Sequence, residues 1–277
     1  MRNQLSVLIL VLLFLACEGA PDLSNPIFDN SPDEQGPVAN ILPHDAIFDT
    51  STVTLSWEGN EFVNGYSYRL EPLDYQDSDI ETYEGSSWSE LSLATSVTLE
   101  FLDEGTYNFY VEGRFNIDHT DTTFTTFEVN AINGPALRIY PLNQMVTSGT
   151  PFNIYLYAEE IIDVAGIEAQ LSYSSTLLTY DNYVIGAAIT DYGLSDLTIF
   201  PPPTSDTDVG TILISGAVAG NGLSGTGEIM KLTFTYSGIE STNTTIDIDD
   251  TNTLLRDVDN TSITIEKMVS GSIEVNE

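Results

Sequence analysis

The sequence predicts an all-β chain made of two β-sandwich domains. Short segments that alternate apolar and polar residues recur along it, and residues 53–57 are the first clear example. Glycine, asparagine, aspartate and proline separate these segments, as they do where turns join the strands of a sandwich. We find no convincing amphipathic helix in the series. The length of 277 residues is too great for one small sandwich and suits two domains with terminal extensions.

The charge of the chain is strongly one-sided. Asp and Glu number 42 against 7 Lys and Arg, which gives a formal net charge of −35. Nucleic acid is excluded as a partner because phosphate binding requires clustered Lys and Arg, and an anionic headgroup surface would repel the chain. An excess of negative charge is typical of proteins that stay soluble in a salty or calcium-containing medium. Many weak contacts with divalent cations are the alternative interpretation.

The first 17 residues have the layout of a bacterial secretion signal. A cationic start precedes an apolar run over residues 5–16, which is shorter than the ~20 residues that a membrane-spanning helix needs. Residues 14–17, Phe-Leu-Ala-Cys, resemble the lipobox of bacterial lipoproteins, in which the cysteine becomes the acylated first residue of the mature protein. The resemblance implies a signal peptide over residues 1–16 and lipidation at Cys17. The alternative is an ordinary secretory signal with an incidental cysteine.

Residues 17–38 are rich in Pro, Asp, Asn and Ser and show no periodicity, so they are expected to form an acidic flexible tether. Several acyl chains on Cys17 would hold the protein at a membrane through lipid alone. We therefore expect the protein in the bacterial cell envelope, lipid-anchored to the outer membrane or the cell surface.

Residues 39–131 are predicted to form the first sandwich. A run of Leu-x-x-Gly-x-Tyr-x-Phe-x-Val from Leu102 to Val111, preceded by the alternating strand of Trp57, resembles a fibronectin type III-like or immunoglobulin-like module. The resemblance implies that Tyr107, Phe109 and Val111 point into the core. Trp57, in mid-strand, is expected in the core as well, whereas the polar surroundings of Trp88 leave its position open.

Residues 135–277 are predicted to form the second sandwich. Four glycine-led apolar patterns, at residues 166–173, 210–215, 225–234 and 271–275, follow one another in an order and spacing that resemble the cohesin domain. Cohesins are jelly-roll sandwiches related to one group of carbohydrate-binding modules, and they bind dockerin modules through one sheet face. The sequence departs from the family at Ser174-Ser175, where Asp-Pro is usual, and this affects a turn.

The resemblance also implies a partner surface. Strand alternation places Ile167, Ala169, Leu171 and Tyr173 in the core. The outward residues of this strand and of a later one, with two loop residues near them, are the predicted contacts with a partner: Glu168, Gln170, Ser172, Asn221, Leu223, Lys231, Thr233 and Thr235.

Patterns that would indicate catalysis or a cofactor are weak. Residues 220–225 match Gly-x-Gly-x-x-Gly, but the following segment alternates like a strand, and dinucleotide binding requires a helix there. His44 and His119 are expected in surface segments, and the sequence has neither a Cys/His cluster for zinc nor a Gly-x-Ser-x-Gly elbow. Acidic clusters at residues 247–252 and 257–260 lack the spacing of a calcium-binding EF-hand loop, so no cofactor is predicted and a structural calcium is the weaker alternative. Residues 258–261 are expected to form a hairpin turn.

Together these patterns predict a non-catalytic cell-surface scaffold lipoprotein whose cohesin-like domain docks a dockerin-type partner, with a link to polysaccharide breakdown. The first alternative is direct carbohydrate binding by the second sandwich, for which Tyr180, Tyr183 and Tyr192 are candidate exposed aromatic residues. The second is a structural or adhesive surface spacer. An enzyme is the least favoured interpretation.

Overall fold

The structure, a computed structural model, describes residues 36–73, 87–192, 198–238 and 242–276. The predicted signal peptide, Cys17 and nearly all of the predicted tether lie outside these residues. Strands dominate the described chain, which confirms the predicted all-β class. A single short helix, α1 (Ala187–Thr190), occurs in the described ranges. Within the described residues no helix is long and apolar enough to cross a membrane.

In the N-terminal unit the described residues form seven strands in two facing sheets, of order β1-β3-β5 and β2-β7-β6-β4. Their bounds are β1 Ala39–Ile41, β2 Ile47–Phe48, β3 Val53–Gly59, β4 Gly65–Pro72, β5 Ser96–Leu99, β6 Gly105–Asn116 and β7 His119–Val129. The sheets pack because each turns an apolar face towards the other.

The core of this unit contains the residues that the alternating pattern placed there. Trp57, Tyr107, Phe109 and Val111 are all at most 3% exposed, and the rings of Trp57 and Phe109 lie 5.9 Å apart across the two sheets. The Tyr107 hydroxyl donates a 2.8 Å hydrogen bond to the backbone oxygen of Asp103. This tyrosine corner, which occurs in immunoglobulin-like sandwiches, pins the loop that leads into β6. Those predicted core positions are therefore confirmed.

The part of the C-terminal unit that the structure describes contains thirteen strands. Their bounds are β8 Ala136–Tyr140, β9 Asn143–Thr147, β10 Pro151–Tyr173, β11 Leu178–Ile185, β12 Thr198–Ile199, β13 Thr204–Asp206, β14 Thr211–Val218, β15 Leu223–Tyr236, β16 Thr244–Ile248, β17 Leu254–Asp257, β18 Ser262–Ile263, β19 Lys267–Val269 and β20 Gly271–Asn276. The prediction of a strand after the glycine-rich residues 220–225 is confirmed, because β15 begins at Leu223 and continues to Tyr236, where a dinucleotide-binding motif would require a helix.

The long strand β10 belongs to both layers of this unit. Its first half pairs with β8 and β15, and β15 pairs in turn with β11; we call these strands the back sheet. Its second half pairs with β14, β16 and β17, and β14 pairs with β12 and β13; we call these strands the front sheet. The chain turns the corner between them through register shifts, where Glu160 and Asp163 take left-handed φ values of 48° and 55°.

Between the two sheets lies an apolar core, to which both halves of β10 contribute. Phe152, Ile154 and Leu156 point inwards from the first half. Ile167, Ala169, Leu171 and Tyr173 do so from the second, at 0–7% exposed, which confirms their predicted burial. Because side chains alternate along a strand, this fixes Glu168, Gln170 and Ser172 on the outer face of the front sheet.

A buried charged cluster lies where the two units meet. Arg138 on β8 is 4% exposed, and its Nε donates a 2.5 Å hydrogen bond to Glu159 while its Nη1 lies 3.5 Å from Asp103. Asp103 comes from the N-terminal unit and also accepts the backbone N–H of Leu142 at 2.9 Å. Burial raises the pKa of Asp103 to about 7, against the opposing effect of Arg138. We call Asp103, Arg138 and Glu159 the junction triad.

Further bonds hold the N-terminal unit against the β8 end of the C-terminal unit. The backbone N–H groups of Ala131 and Ile132, which lie between β7 and β8, donate to Glu104 at 2.9 Å and fix this segment on the N-terminal unit. Lys267 Nζ donates to the Ala131 oxygen at 2.6 Å and joins the two units. Ala136 on β8 belongs to the N-terminal core cluster. The contact therefore involves β8 and β19, which pair with each other, rather than the middle of the front sheet.

Candidate docking surface

The outward residues of the front sheet form one continuous face. In the register of β10 and β14, Glu168 is opposite Ser215, Gln170 opposite Leu213 and Ser172 opposite Thr211. On the other side of β10, Glu168 is opposite Leu254 of β17. We call the outer surface formed by Glu168, Gln170, Ser172, Thr211, Leu213, Ser215, Leu254 and Arg256 the front face.

A depression of about 420 Å³ lies in the front face beside the edge strand β13. It is lined by one amide, several hydroxyl groups, one carboxylate and one leucine, from Gln170, Thr204, Ser205, Asp206, Thr207, Thr211 and Leu213. The carboxylate of Asp206 is engaged in the turn that follows β13, because it accepts the backbone N–H groups of Asp208 and Val209 at 3.1 and 3.2 Å. The depression therefore offers hydrogen-bonding groups around one apolar point.

The loop between β16 and β17 fixes the side chain of Gln170. Gln170 Nε2 donates to Asp249 Oδ2 at 3.3 Å, and the Asp249 backbone N–H donates to the Gln170 oxygen at 2.8 Å. The other carboxylate oxygen of Asp249 accepts the backbone N–H groups of Thr251 and Asn252 at 2.8 and 3.1 Å. Hydrogen bonds from the Asn252 side chain and these amides lower the pKa of Asp249. The first acidic cluster thus holds its own loop against β10.

The second acidic cluster forms the predicted hairpin turn. Asp257 Oδ1 accepts the backbone N–H groups of Asp259 and Thr261 at 2.9 and 2.8 Å, and β17 pairs with β18 on either side of the turn. Arg256 Nη1 donates to the Asn260 oxygen at 3.1 Å, which holds this cation at the border of the front face. Across the described ranges, no group of three or more His, Cys, Asp or Glu side chains is placed to hold a metal ion. The absence of a cofactor stays a prediction, with a structural calcium as its weaker alternative.

Three of the predicted contact residues lie on the opposite side of the sandwich. Lys231, Thr233 and Thr235 point outwards from β15, as the alternation predicted, but β15 belongs to the back sheet. Thr233 Oγ1 donates to Asn153 at 2.9 Å and Thr235 Oγ1 donates to Asp181 at 2.6 Å. One partner surface of ordinary size therefore cannot include both this group and Glu168, Gln170 and Ser172.

The prediction of Leu223 as an exposed contact was wrong. Its side chain is 5% exposed and belongs to the core, because β15 begins at this residue and pairs it with Val164. The neighbouring Gly222 has φ 77° and passes close to the Asp163 backbone, which turns Leu223 inwards. Asn221 is exposed at the same corner, beyond the edge of the front face.

The three tyrosines proposed for sugar stacking do not form an exposed row. Tyr180, Tyr183 and Tyr192 are partly buried and pack against the C-terminal core. The Tyr180 ring lies 5.6 Å from that of Phe234, and burial raises the Tyr180 pKa to about 12. The Tyr192 hydroxyl donates to the Ala219 oxygen at 3.2 Å. These contacts favour a structural role for the tyrosines.

Sequence reasoning missed five of the eight residues of the front face. Thr211, Leu213 and Ser215 could have been found, since the alternation of residues 210–215 already points them away from the core. Leu254 and Arg256 could not, because nothing in the sequence shows that β17 pairs with β10.

Solved structures of cohesin domains are similar to about half of the chain. The type II cohesin domain from the cellulosome of Acetivibrio cellulolyticus aligns with 50% of this chain and 94% of its own, at 15% identity and a TM-score of 0.43. A non-cellulosomal cohesin from the archaeon Archaeoglobus fulgidus aligns with 51% and 91%, at 15% identity and a TM-score of 0.40. A type I cohesin–dockerin complex from Clostridium thermocellum aligns with 51% and 98%, at 13% identity and a TM-score of 0.43. No protein-family model and no curated protein sequence matches the chain.

Proposed function

We propose that the protein is a non-catalytic cell-surface scaffold and that the front face binds a protein module of dockerin type. The observation that carries the proposal is that, among the described residues, the N-terminal unit packs at the β8 end and not on the strands of the front face. The cohesin-like patterns at residues 166–173 and 210–215 are the two strands in the middle of this face. The cohesin from Clostridium thermocellum was solved with a dockerin, which defines the class of partner to test.

The chemistry of the front face supports binding rather than catalysis. Hydrolysis of a glycosidic bond by the usual route needs two carboxyl groups at a set separation across a cleft. The depression is lined by a single carboxylate, that of Asp206, and turn amides already hydrogen-bond to it. Leu213 and Leu254 instead give the front face two apolar points on either side of the polar residues of β10, and such a mixture of apolar and polar contacts is usual in a protein interface.

The first experiment asks whether a partner of this class exists. The mature chain, immobilised through its C-terminus, is incubated with an extract of its source organism in calcium and, separately, in EDTA, and retained proteins are identified by mass spectrometry. We expect a protein that carries a dockerin-type module to be retained in calcium. If no protein with such a module is retained, the proposed partner class is wrong.

The second experiment asks which face binds, using two matched substitutions. Leu213→Arg places a cation in the front face, whereas Val184→Arg does so at a 50% exposed residue on the back sheet. We expect Leu213→Arg to lower the affinity for the captured module about tenfold or more, a loss of at least ~1.4 kcal/mol of binding free energy. Val184→Arg should leave this affinity unchanged. If Leu213→Arg binds the module as tightly as Val184→Arg and the wild type do, with an unchanged melting temperature, the module binds outside the front face.

The cellular setting is part of the proposal. A lipid on Cys17 would hold the tether and both units at the envelope of a bacterium, and a docked enzyme would link the scaffold to polysaccharide breakdown. Cells that are given labelled palmitate should incorporate the label into the wild-type protein and not into Cys17→Ser. A wild-type protein without label would remove the lipid anchor from the proposal.

A further inference from the structure

A ladder of aromatic and cationic side chains crosses the outer face of the four-stranded sheet in the N-terminal unit. Arg69 on β4, Tyr110 on β6 and Phe124 on β7 are directly opposite one another in the strand register. The Arg69 guanidinium carbon lies 4.3 Å from the centre of the Tyr110 ring, and the Tyr110 and Phe124 rings lie 5.5 Å apart. Trp88 completes the row, with its ring 5.5 Å from the Arg69 guanidinium and 6.5 Å from Tyr110.

The two ends of this aromatic ladder remain exposed. Phe124 is 62% exposed and Trp88 is 39% exposed, although the core of the unit lies on the other face of the sheet. Contiguous exposed aromatic side chains on a sheet face are a feature of binding surfaces. The ladder crosses three strands with a spacing of ~4.8 Å, so it is longer than one sugar ring.

Polar residues flank the ladder on both sides. One neighbouring row consists of Glu71, Asn108 and Thr126, in which Thr126 donates to Asn108 at 2.7 Å and the Tyr110 hydroxyl donates to Glu71 at 2.8 Å. The other row consists of Glu112 and the exposed Thr122, whereas Ser67, which lies opposite Glu112 on β4, is buried at 3% exposed. The apolar strip is thus one side chain wide, whereas a stable protein interface buries about 800 Å² per partner around a broad apolar centre. A narrow aromatic strip between hydrogen-bonding groups fits a sugar chain, whose rings present C–H faces and hydroxyl edges.

The charges on this face select among polysaccharides. Arg69 lies 3.9 Å from Glu71, and Arg114 pairs with Glu112, so each cation has an acidic neighbour. The chain as a whole carries −35 and would repel a polyanion such as a uronic acid polymer. The charge-balanced ladder is therefore suited to a neutral chain.

We propose that the aromatic ladder of Trp88, Tyr110 and Phe124 is a binding surface for neutral polysaccharide, separate from the front face. The N-terminal unit would then bring the scaffold to the polymer while the C-terminal unit carries the docked partner. This inference does not depend on the docking proposal, because the two surfaces are on different units.

Native affinity electrophoresis of the mature chain tests the proposal, in gels that contain hydroxyethylcellulose, xyloglucan, galactomannan or polygalacturonate. We expect retardation by at least one of the three neutral polymers and none by polygalacturonate. Phe124→Ala should weaken binding about tenfold, equivalent to ~1.4 kcal/mol. Phe101→Ala, at a 43% exposed phenylalanine outside the ladder, should bind like the wild type, and so should Leu213→Arg.

Tryptophan fluorescence gives a second readout that does not depend on truncating a stacked residue. The chain has two tryptophans, and Trp57 is buried at 3% exposed, so a ligand-induced change should come from Trp88. We expect the change to disappear in Trp88→Phe. The proposal is overturned if no neutral polymer retards the wild type or if Phe124→Ala binds as the wild type does. Stronger retardation by polygalacturonate, or a dimer in sedimentation that Phe124→Ala dissociates, would overturn it as well.

Discussion

Replacing Arg138 by methionine should sharply destabilise the protein. Asp103 and Glu159, at 5% and 4% exposed, would remain as two carboxyl groups in a site closed to water, and they would lose their 3.5 and 2.5 Å contacts to the guanidinium. Removing one partner of a buried ion pair costs about 3–5 kcal/mol, since the remaining charge is left uncompensated. Methionine fills much of the same volume, so the loss should come from charge rather than from a cavity.

Urea unfolding at pH 7.5, followed by circular dichroism, measures this loss. Arg114→Met is the matched control, because Arg114 also pairs with a glutamate, Glu112, but is about one-third exposed. It should cost no more than about 1 kcal/mol. Adding Asp103→Asn and Glu159→Gln to Arg138→Met should recover much of the stability. If Arg138→Met loses no more stability than Arg114→Met, the junction triad does not hold the fold in the way described.

Two further predictions concern pH and backbone strain. Because burial raises the pKa of Asp103 to about 7, above its ordinary 3.8, the folded state binds this proton more tightly than the unfolded chain does. The contribution of the Asp103 proton to stability is complete below pH ~4 and is lost as pH rises through ~7. The urea midpoint of the wild type should therefore fall between pH 5 and pH 8, and Asp103→Asn should flatten this fall. An unchanged slope in Asp103→Asn would show that Asp103 does not cause the pH dependence. Gly222 and Gly149 have nearly equal φ values of 77° and 76°, but a Cβ at Gly222 would lie 2.5 Å from the Asp163 backbone, whereas none is near at Gly149. Gly149→Ala should therefore lower the stability by about 1–2 kcal/mol through its φ value alone. Gly222→Ala should lower it clearly more, because the new Cβ also meets the Asp163 backbone. Thermal unfolding measures both losses, and equal losses would show that the chain moves to make room for the Cβ at residue 222.

The alternation of side chains made the cores predictable. Ile167, Ala169 and Leu171 are buried because a strand with one apolar face leaves no other register, and the same holds for Tyr107 and Phe109. The burial of these residues follows from the alternation of side chains within one strand, which the sequence of that strand shows by itself.

The grouping of outward residues was not predictable, because it depends on which strands share a sheet. Glu168 and Lys231 both point outwards, yet the corner at Glu160 and Asp163 puts them on opposite layers. Leu223 was misplaced for a related reason: the constraint that turns it inwards comes from the backbone of Asp163, about sixty residues earlier.

Contacts between distant segments were beyond the sequence pattern as well. The junction triad joins Asp103, Arg138 and Glu159, none of which follows a periodic signal. Trp88 gave no clear signal because its polar neighbours suit a loop, and its position is set by stacking on Arg69.

The central claim is that the front face binds the partner, and hydroxyl-radical footprinting of the complex tests it most directly. Oxidation of Leu213 and Leu254, both partly exposed in the free chain, should fall when the captured module is added. Oxidation of Val184, on the back sheet, should not change. Protection of Val184 with Leu213 and Leu254 unaffected would contradict the claim and move the docking surface to the back sheet.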